Sequence, residues 1–448
     1  MATDRDTIAA VATAPGAGGI GIVRVSGPAA RAIGAAVCGR ALRPRHAHFA
    51  RFRDADGEVI DEGVALLFAG PASYTGEDVL ELQGHGGAIV LQALLRRCLA
   101  LGARPARAGE FTERAFLEGK LDLAQAEAVA DLVAAGSLAA ARAARRSLEG
   151  EFSRQVEDLL GQLLDLRMYI EAALDFPDEQ IDFLAAPELQ RRRDRAQCTL
   201  EALLAGARRG ARLRDGLHVL ILGAPNVGKS SLLNALVADE RAIVSDVAGT
   251  TRDLLREHIE LDGIALTLVD SAGLRSAPDA IEAEGIRRAR AELARADLVL
   301  AVGDAAHPPG LDAESRALLP AGTRVLHVHA KCDREDEPAR VERREDGEHL
   351  WLSARTGAGM DGLRERLRAA AGAGEGAEGG FSARARHVEA LERTQAHLHA
   401  AGANLAAGQA ELAAEDLRRG QHSLGEITGA VEADELLGRI FAGFCIGK

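Results

Sequence analysis

Leu217-His-Val-Leu-Ile-Leu222, followed by Gly223-Ala-Pro-Asn226-Val227-Gly228-Lys229-Ser230-Ser231, is the stretch that decides the fold. An apolar strand runs into a G-x-x-x-x-G-K-S loop, and residues 231–237 open a helix, the context this motif requires. The glycines let backbone N–H groups turn inward around phosphate oxygens, and the helix N-terminus adds partial positive charge. Lys229 is suited to reach the terminal phosphates, and the Ser230 hydroxyl to coordinate Mg²⁺.

Three further pieces follow in the order a guanine nucleotide site needs. Gly249-Thr250-Thr251-Arg252-Asp253 lies where a switch loop belongs, with Thr251 as a second Mg²⁺ hydroxyl. Asp270-Ser271-Ala272-Gly273 ends a strand, so Asp270 can hold Mg²⁺ through water and the Gly273 N–H can meet the γ-phosphate. Ala330-Lys331-Cys332-Asp333 follows another strand, and its aspartate can accept from guanine N1 and the exocyclic amine. Ser353-Ala354-Arg355 then closes over the base. The ordered set points to GTP rather than ATP. Two departures stand out: Ala330 replaces the usual Asn of the guanine motif, and Ser271 replaces a usual Thr. A third bears on catalysis. The residue after Asp-x-x-Gly, a water-orienting Gln in Ras-like GTPases, is Leu274 here, so water positioning and charge stabilisation must come from elsewhere.

Working outward, residues 217–222, 265–269, 297–302, 324–328 and 349–352 read as strands alternating with helices. That pattern predicts a mostly parallel sheet with helices on both faces. Upstream, residues 20–25 and 79–82 read as strands among glycines, within a mixed α and β region. From residue 121 to about 210 the pattern is helical, interrupted once at Asp175-Phe-Pro-Asp178. Residues 371–380 (AGAGEGAEGG) read as a flexible linker, and residues 383–448 as helical. The expected organisation is an N-terminal α+β domain (1–118), a discontinuous helical domain (119–215 and 373–448) and an inserted Ras-like P-loop GTPase domain (216–372).

Composition narrows the function classes. A net charge of −13 and a sequence pI near 5.6 argue against bulk electrostatic coating of nucleic acid. Arginine is dense at Arg191, Arg192, Arg193, Arg195 and at Arg208, Arg209, Arg212, Arg214; these form either a solvated helix face or an RNA contact. The five cysteines form no C-x-x-C pair, no metal or disulfide framework is readable, and no apolar run reaches membrane-spanning length. A soluble cytoplasmic protein is expected. Of 54 basic residues only four are lysines, Lys120, Lys229, Lys331 and Lys448, so each becomes a candidate for a task that needs a compact ammonium.

The phosphate loop, the Gly-Thr-Thr-Arg-Asp switch, the split helical domain and the terminal Phe444-Cys445-Ile446-Gly447-Lys448 together resemble the MnmE family of tRNA wobble-uridine modification GTPases. The runs Tyr74–Gly87, Gly119–Glu127 and Asp175–Asp178 match as well, so the resemblance covers the whole chain. It implies a homodimer formed through the N-terminal domain and a tetrahydrofolate one-carbon donor (5-formyl or methylene form) bound there. It also implies a heterotetramer with the flavoprotein MnmG acting on tRNA, and an aminomethyl-type group placed at carbon 5 of the wobble uridine. Carried over by position, the folate residues are Arg24, Glu81, Lys120 and Lys448. The GTP contacts are Asn226, Val227, Gly228, Lys229, Ser230, Ser231, Ser245, Asp246, Val247, Ala248, Gly249, Thr250, Thr251, Asp270, Ser271, Ala272, Gly273, Lys331, Asp333, Ser353, Ala354 and Arg355. K⁺ beside the phosphates takes Asn226, Ser245, Val247 and Thr250, and Glu282 orients the attacking water, which answers the Leu274 problem. Cys445 is either a functional thiol or a buried small hydrophobe, and His85 either a base or a loop contact. The competing class is a ribosome-assembly GTPase that binds rRNA without modification chemistry. A pure regulatory switch is a third reading.

Overall fold

The structure, a computed structural model, describes residues 6–175, 187–239, 241–242, 256–261, 264–270, 292–320, 323–334, 337–370, 380–430 and 434–447. The chain divides into two compact units. One comprises Met1–Ala130, Ser153–Ala185 and His397–Lys448; the other comprises Asp131–Phe152 and Ala186–Ala396.

The first unit is built on a six-stranded sheet. Its strands are β1 (Ile8–Val11), β2 (Gly18–Ser26), β3 (His48–Arg53), β4 (Val59–Phe68), β5 (Val79–Gly86) and β6 (Arg104–Pro105), in the order β3-β4-β5-β2-β1-β6. All pairs are antiparallel except β1 with β6. Period-2 alternation gives β2 and β5 one apolar face: Val23, Val25, Leu80 and Leu82 pack against Ile33, Val37, Leu91 and Leu94 of the helices Ala30–Cys38 and Ala88–Ala100. The sequence reading finds β2 and β5 but not β1, β3, β4 or β6.

The second unit carries an eight-stranded sheet. Its strands are β7 (Leu217–Leu222), β8 (Arg241–Ala242), β9 (Arg256–Leu261), β10 (Ile264–Asp270), β11 (Leu298–Gly303), β12 (Arg324–His329), β13 (Arg340–Arg344) and β14 (Gly347–Trp351). The order is β13-β14-β12-β11-β7-β10-β9-β8. The five strands β14, β12, β11, β7 and β10 run parallel, while β9, β8 and β13 are antiparallel additions at the edges. Val219 and Ile221 enter one core with Leu232, Leu266, Leu300 and Leu363; Leu220, between them, enters another with Val269 and Val299. Both faces of β7 are therefore buried, as helices on both sides of a parallel sheet require. The mixed α/β and helical fold class expected from the sequence is the one observed.

Boundaries differ in detail. The helix after the phosphate loop spans Lys229–Asp239, starting two residues before the expected 231. The helical stretch resolves into Leu123–Ala134, Leu138–Leu148, Glu151–Asp175 and Pro187–Asp215, with Gly150 at φ +82 turning the chain between two of them. The expected break after Asp175 falls on residues 176–186 and the linker on 371–379, both outside the described residues. Arg191 and Arg192 pair with Glu188, Arg193 with Asp194, Arg208 with Glu392 and Arg214 with Asp131. The first four of these pairs lie in the open and fit the solvated-face reading of the arginine runs, whereas Arg214 reaches the buried Asp131.

Beyond residue 380 the returning chain lies on the helix Pro187–Asp215. A Cβ on Gly210 would stand 2.3 Å from the Phe381 oxygen, and one on Gly206 would meet the Phe381 ring at 3.2 Å. Phe381 stacks on Phe152 with ring centroids 4.6 Å apart, and Ser147 Oγ donates to Ser382 O at 2.9 Å. Gly161, inside the helix Glu151–Asp175, has nothing within 4 Å of such a Cβ. The two helical glycines should therefore respond oppositely to alanine. Gly161→Ala raises stability by about 0.5–1 kcal/mol through helix propensity alone. Gly210→Ala lowers it by about 1–3 kcal/mol because backbone must move. Thermal or urea unfolding checks both; equal shifts would mean that the Phe381 segment does not dock closely.

Candidate functional site

The carboxyl ends of the parallel strands share one edge of the second sheet, where ligands of open α/β sheets bind. The loop after β7 is forced into shape by its backbone. Gly223 sits at φ +158 with a would-be Cβ only 2.1 Å from Val302 O, so no larger residue fits. Asn226 is left-handed at φ +64 and exposed, and Gly228 is at φ +111. Val227 is buried beneath the loop, while Ser230 and Ser231 are exposed on the first turn of the helix. Lys229 is buried, and its Nζ donates to Gly223 O at 3.0 Å and Ala224 O at 2.9 Å. Its ammonium thus already lies over the loop, where a phosphate oxygen can exchange with a carbonyl. Asp270 ends β10 in register with Ile221, which puts its backbone one strand away from the entry to the loop.

A cleft of about 140 Å³ opens beside the loop, lined by Gly228, Ser231, Ala330, Asp333, Ser353 and Arg355 among others. β12 and β14 deliver its two sides, and they are tied by Cys332 N donating to Leu352 O at 3.2 Å. The carboxylate of Asp333 accepts from Arg355 Nη2 at 2.6 Å and Nε at 3.1 Å. Hydrogen bonding from Ser353, and then from Arg355, holds its pKa below the usual range, so it is an ionised acceptor at neutral pH. Donors on a purine edge would share this acceptor with Arg355.

Ala330 is buried at the junction, with its Cβ 3.6 Å from where a Gly228 Cβ would stand. The amide that an asparagine would offer the phosphate loop is replaced by a lysine. Lys331, itself left-handed at φ +65, donates from Nζ to Asn226 O at 2.6 Å and pairs with Asp304 at 2.8 Å. Lys331 holds the Asp304 pKa down. Asp304 is absent from the sequence reading, though its place directly after β11, at the carboxyl edge, is the signal that marks it. Arg334, Leu232 and Leu352 also line the cleft unannounced.

Ser245, Asp246, Val247, Ala248, Gly249, Thr250 and Thr251 lie outside the described residues, as do Ser271, Ala272, Gly273, Leu274, Glu282 and Lys448. The phosphate-loop half of the nucleotide set is therefore brought together with the base half, and the switch residues are not described.

A second constellation lies in the first unit. Arg24 and Glu81 face each other in the β2–β5 register and pair at 2.9 Å, on the face opposite the apolar core. The C-terminal tail joins them: Ala108 bridges Ile446, Gly109 N donates to Cys445 O at 3.3 Å, and Arg24 Nη1 donates to Gly447 O at 3.3 Å. Arg24 also lies 5.7 Å from the rings of Tyr74 and Phe111. Lys120 Nζ donates to Pro71 O at 2.9 Å, on the loop that carries Tyr74. Cys445 is exposed, which rules out the buried-hydrophobe reading. His85 is exposed too; its Nδ1 contacts Asp61 at 2.8 Å, and that bond raises the imidazole pKa.

Comparison with known proteins gives the family. The model of the GTP-binding protein TrmE N-terminus matches residues 7–120, and the MnmE helical domain model matches residues 123–445. The tRNA modification GTPase MnmE of Xanthomonas campestris pv. campestris (strain B100) is 56% identical over 450 residues, covering 100% of both chains. The protein of the same name from Pseudomonas entomophila (strain L48) is 54% identical over 456 residues, again covering 100% of both. The G domain of the T. maritima FeoB iron transporter is 24% identical over 35% of this chain and 98% of its own; its TM-score of 0.26 carries no argument. With both family models matched and identity above one half end to end, the chain belongs to the MnmE family of GTPases.

Proposed function

We propose that this chain is a K⁺-dependent GTPase that drives tRNA modification in the cytoplasm. As a homodimer, joined with the flavoprotein MnmG in a heterotetramer, it installs a carboxymethylaminomethyl-type group at carbon 5 of the wobble uridine. The observation that carries this reading is the end-to-end identity of 54–56% to tRNA modification GTPases, supported by a phosphate loop and a base cleft at one sheet edge. Residues 1–118 serve as the tetrahydrofolate-binding and dimerisation domain, 216–372 as the GTPase domain, and 119–215 with 373–448 as the helical domain.

In hydrolysis, water attacks the γ-phosphorus and the bond to the β–γ bridging oxygen breaks, giving GDP and phosphate. Lys229 exchanges its loop carbonyls for phosphate oxygens, and Asp333 accepts from the guanine edge. Ser230 sits exposed at the foot of the loop, suited to Mg²⁺ with Thr251 and, through water, Asp270. The exposed, left-handed Asn226 fits K⁺ with Ser245, Val247 and Thr250. Bound K⁺ and Mg²⁺ supply charge against the developing anion, and Glu282 orients the water. In the N-terminal domain, Arg24, Glu81, Lys120 and Lys448 hold the folate, with the Cys445 thiol exposed nearby on the tail.

Three outcomes follow. GTP hydrolysis by the wild type runs roughly tenfold or more faster in K⁺ than in Na⁺; equal steady-state rates would remove the cation from the mechanism. Ala330→Asn adds one or two hydrogen bonds toward the phosphate loop, each about 0.5–1.5 kcal/mol, and tightens GTP binding accordingly. Unchanged affinity in a titration would mean that the Lys331 tie to Asn226 already does that task. Cys445→Ser and Lys120→Arg keep K⁺-stimulated hydrolysis but lower wobble-uridine modification, while Lys229→Ala and Glu282→Ala lower both. Mass spectrometry of tRNA nucleosides reads the difference, and normal modification by both of the first two variants would sink the division of labour.

A further inference from the structure

β12 and β14 are parallel neighbours in which His327 pairs with His349, so the two side chains leave the sheet on the same face. Their imidazoles stack with centroids 4.5 Å apart and planes 11° apart. The turn between β13 and β14 brings in a carboxylate. Asp346 Oδ1 lies 3.0 Å from His349 Nε2, and Oδ2 lies 3.9 Å from His327 Nε2. The ligand atoms of the three residues all lie within 4.8 Å of one another.

A buried histidine in a structural role has its ring nitrogens hydrogen-bonded to the protein. His327 does not conform. It is only 1% exposed, and neither Nδ1 nor Nε2 makes a hydrogen bond of good geometry, though the backbone of Asp346 and of Pro309 approaches the ring. His349 is arranged as a metal-binding histidine usually is, with its far nitrogen engaged: Nδ1 contacts His329 Nε2 at 3.0 Å, which fixes the ring and directs Nε2 toward Asp346. His329 is itself fixed by stacking on Trp351, with centroids 4.0 Å apart. Gly347 borders His327 Nε2; a Cβ there would stand 3.6 Å away, so the glycine leaves the approach open.

We propose that His327, Asp346 and His349 form a binding site for a divalent metal ion of the zinc type. Two imidazole nitrogens and one carboxylate oxygen, with water in the fourth position, are a common donor set for zinc. The His349–Asp346 spacing is already that of neighbouring ligands. To reach the separation of about 3.3 Å between ligands of a tetrahedron with bonds of about 2.0 Å, His327 must approach from 3.9 Å and the stacked rings must turn so that both lone pairs meet one ion. Asp346 is half exposed and provides the entry path and the open position. The site lies behind the nucleotide cleft, three residues before Ala330 on one strand and four before Ser353 on the other. A bound ion there would brace both strands without touching phosphate or base, so its presence is read without nucleotide.

The test is a Zn²⁺ titration of the full-length chain, stripped with a chelator, by calorimetry, with Co²⁺ as a spectroscopic stand-in. The wild type is expected to bind one equivalent of Zn²⁺, to give the intense visible bands of four-coordinate Co²⁺, and to gain thermal stability with Zn²⁺. Asp346→Asn alters an exposed turn and leaves the fold intact, yet it should weaken this binding at least tenfold and abolish the Co²⁺ bands, as should His349→Gln. His329→Phe, which removes only the fixing contact, should weaken it about 10- to 100-fold. No uptake of Zn²⁺ by the wild type would overturn the proposal. So would uptake with the same affinity in Asp346→Asn and His349→Gln, which would place the ion on other groups, such as the exposed Cys198 and Cys445.

Discussion

The second unit depends on the burial of β7 on both faces. Val219 and Ile221 face one hydrophobic core and Leu220 the other, and each is essentially inaccessible to water. A strand with no polar face must be covered twice, which demands helices on both sides and crossover connections that keep the central strands parallel. Parallel strands place all their carboxyl ends at one edge. The phosphate loop, Asp270, Asp304, the segment from Ala330 to Asp333 and the segment from Ser353 to Arg355 share that edge because of how β7 is buried. The chemistry is local, but its assembly follows from hydrophobic coverage.

The first unit solves the opposite problem. In β2 and β5 the side chains alternate, so one face is apolar and covered by helices while the other carries Arg24, Glu81 and Gln83, beside a small apolar cluster of Ile8, Ala10, Ala106 and Phe111. Arg24 and Glu81 are direct cross-strand partners on that polar face, and their ion pair is half sheltered by the C-terminal tail. Residues more than 400 positions apart in the chain meet there because Ala108 and Ile446 form a bridge. The same period of two that makes a core in one direction makes a binding face in the other.

How much of this the sequence discloses follows from where each interaction is encoded. β7, β11 and β12 are apolar and flanked by glycine or motif residues, so they are readable along the chain. β13 is not. Arg340-Val-Glu-Arg-Arg344 is four-fifths charged, and it pairs only with β14. Beside its ladder to β14, Arg340 and Arg344 flank Glu342 at 2.8 and 2.7 Å and Arg340 lies 3.9 Å over the Trp351 ring. β3, His48-Phe-Ala-Arg-Phe-Arg53, likewise buries only Ala50 and Phe52. The motif residues of the nucleotide cleft are legible because their spacing is fixed by the ligand. The tie that replaces the missing asparagine is not, since Asp304, Lys331 and Asn226 meet only through the sheet. The His327–Asp346–His349 cluster is hidden for the same reason: strand register and a turn make it, with no short spacing to reveal it.

The scarcity of lysine turns out to have a geometric counterpart. Arginine fills 50 of the 54 basic positions, and it pairs with carboxylates across the surface. Each of the three lysines within the described residues directs its ammonium at main-chain carbonyls: Lys229 at Gly223 and Ala224, Lys331 at Asn226 while also pairing with Asp304, and Lys120 at Pro71. Arginines reach carbonyls as well, Arg53 at Gly57 and Arg146 at Gly380, but a planar guanidinium spreads its donors across a fork, whereas the compact Lys229 ammonium meets two loop carbonyls at once. Two of these lysines contact the phosphate loop, at three of its carbonyls, and hold its shape. The third pins a loop beside Arg24. Lysine thus stands where a compact ammonium sits against the phosphate loop, a place where the shape of the charge matters as well as its sign.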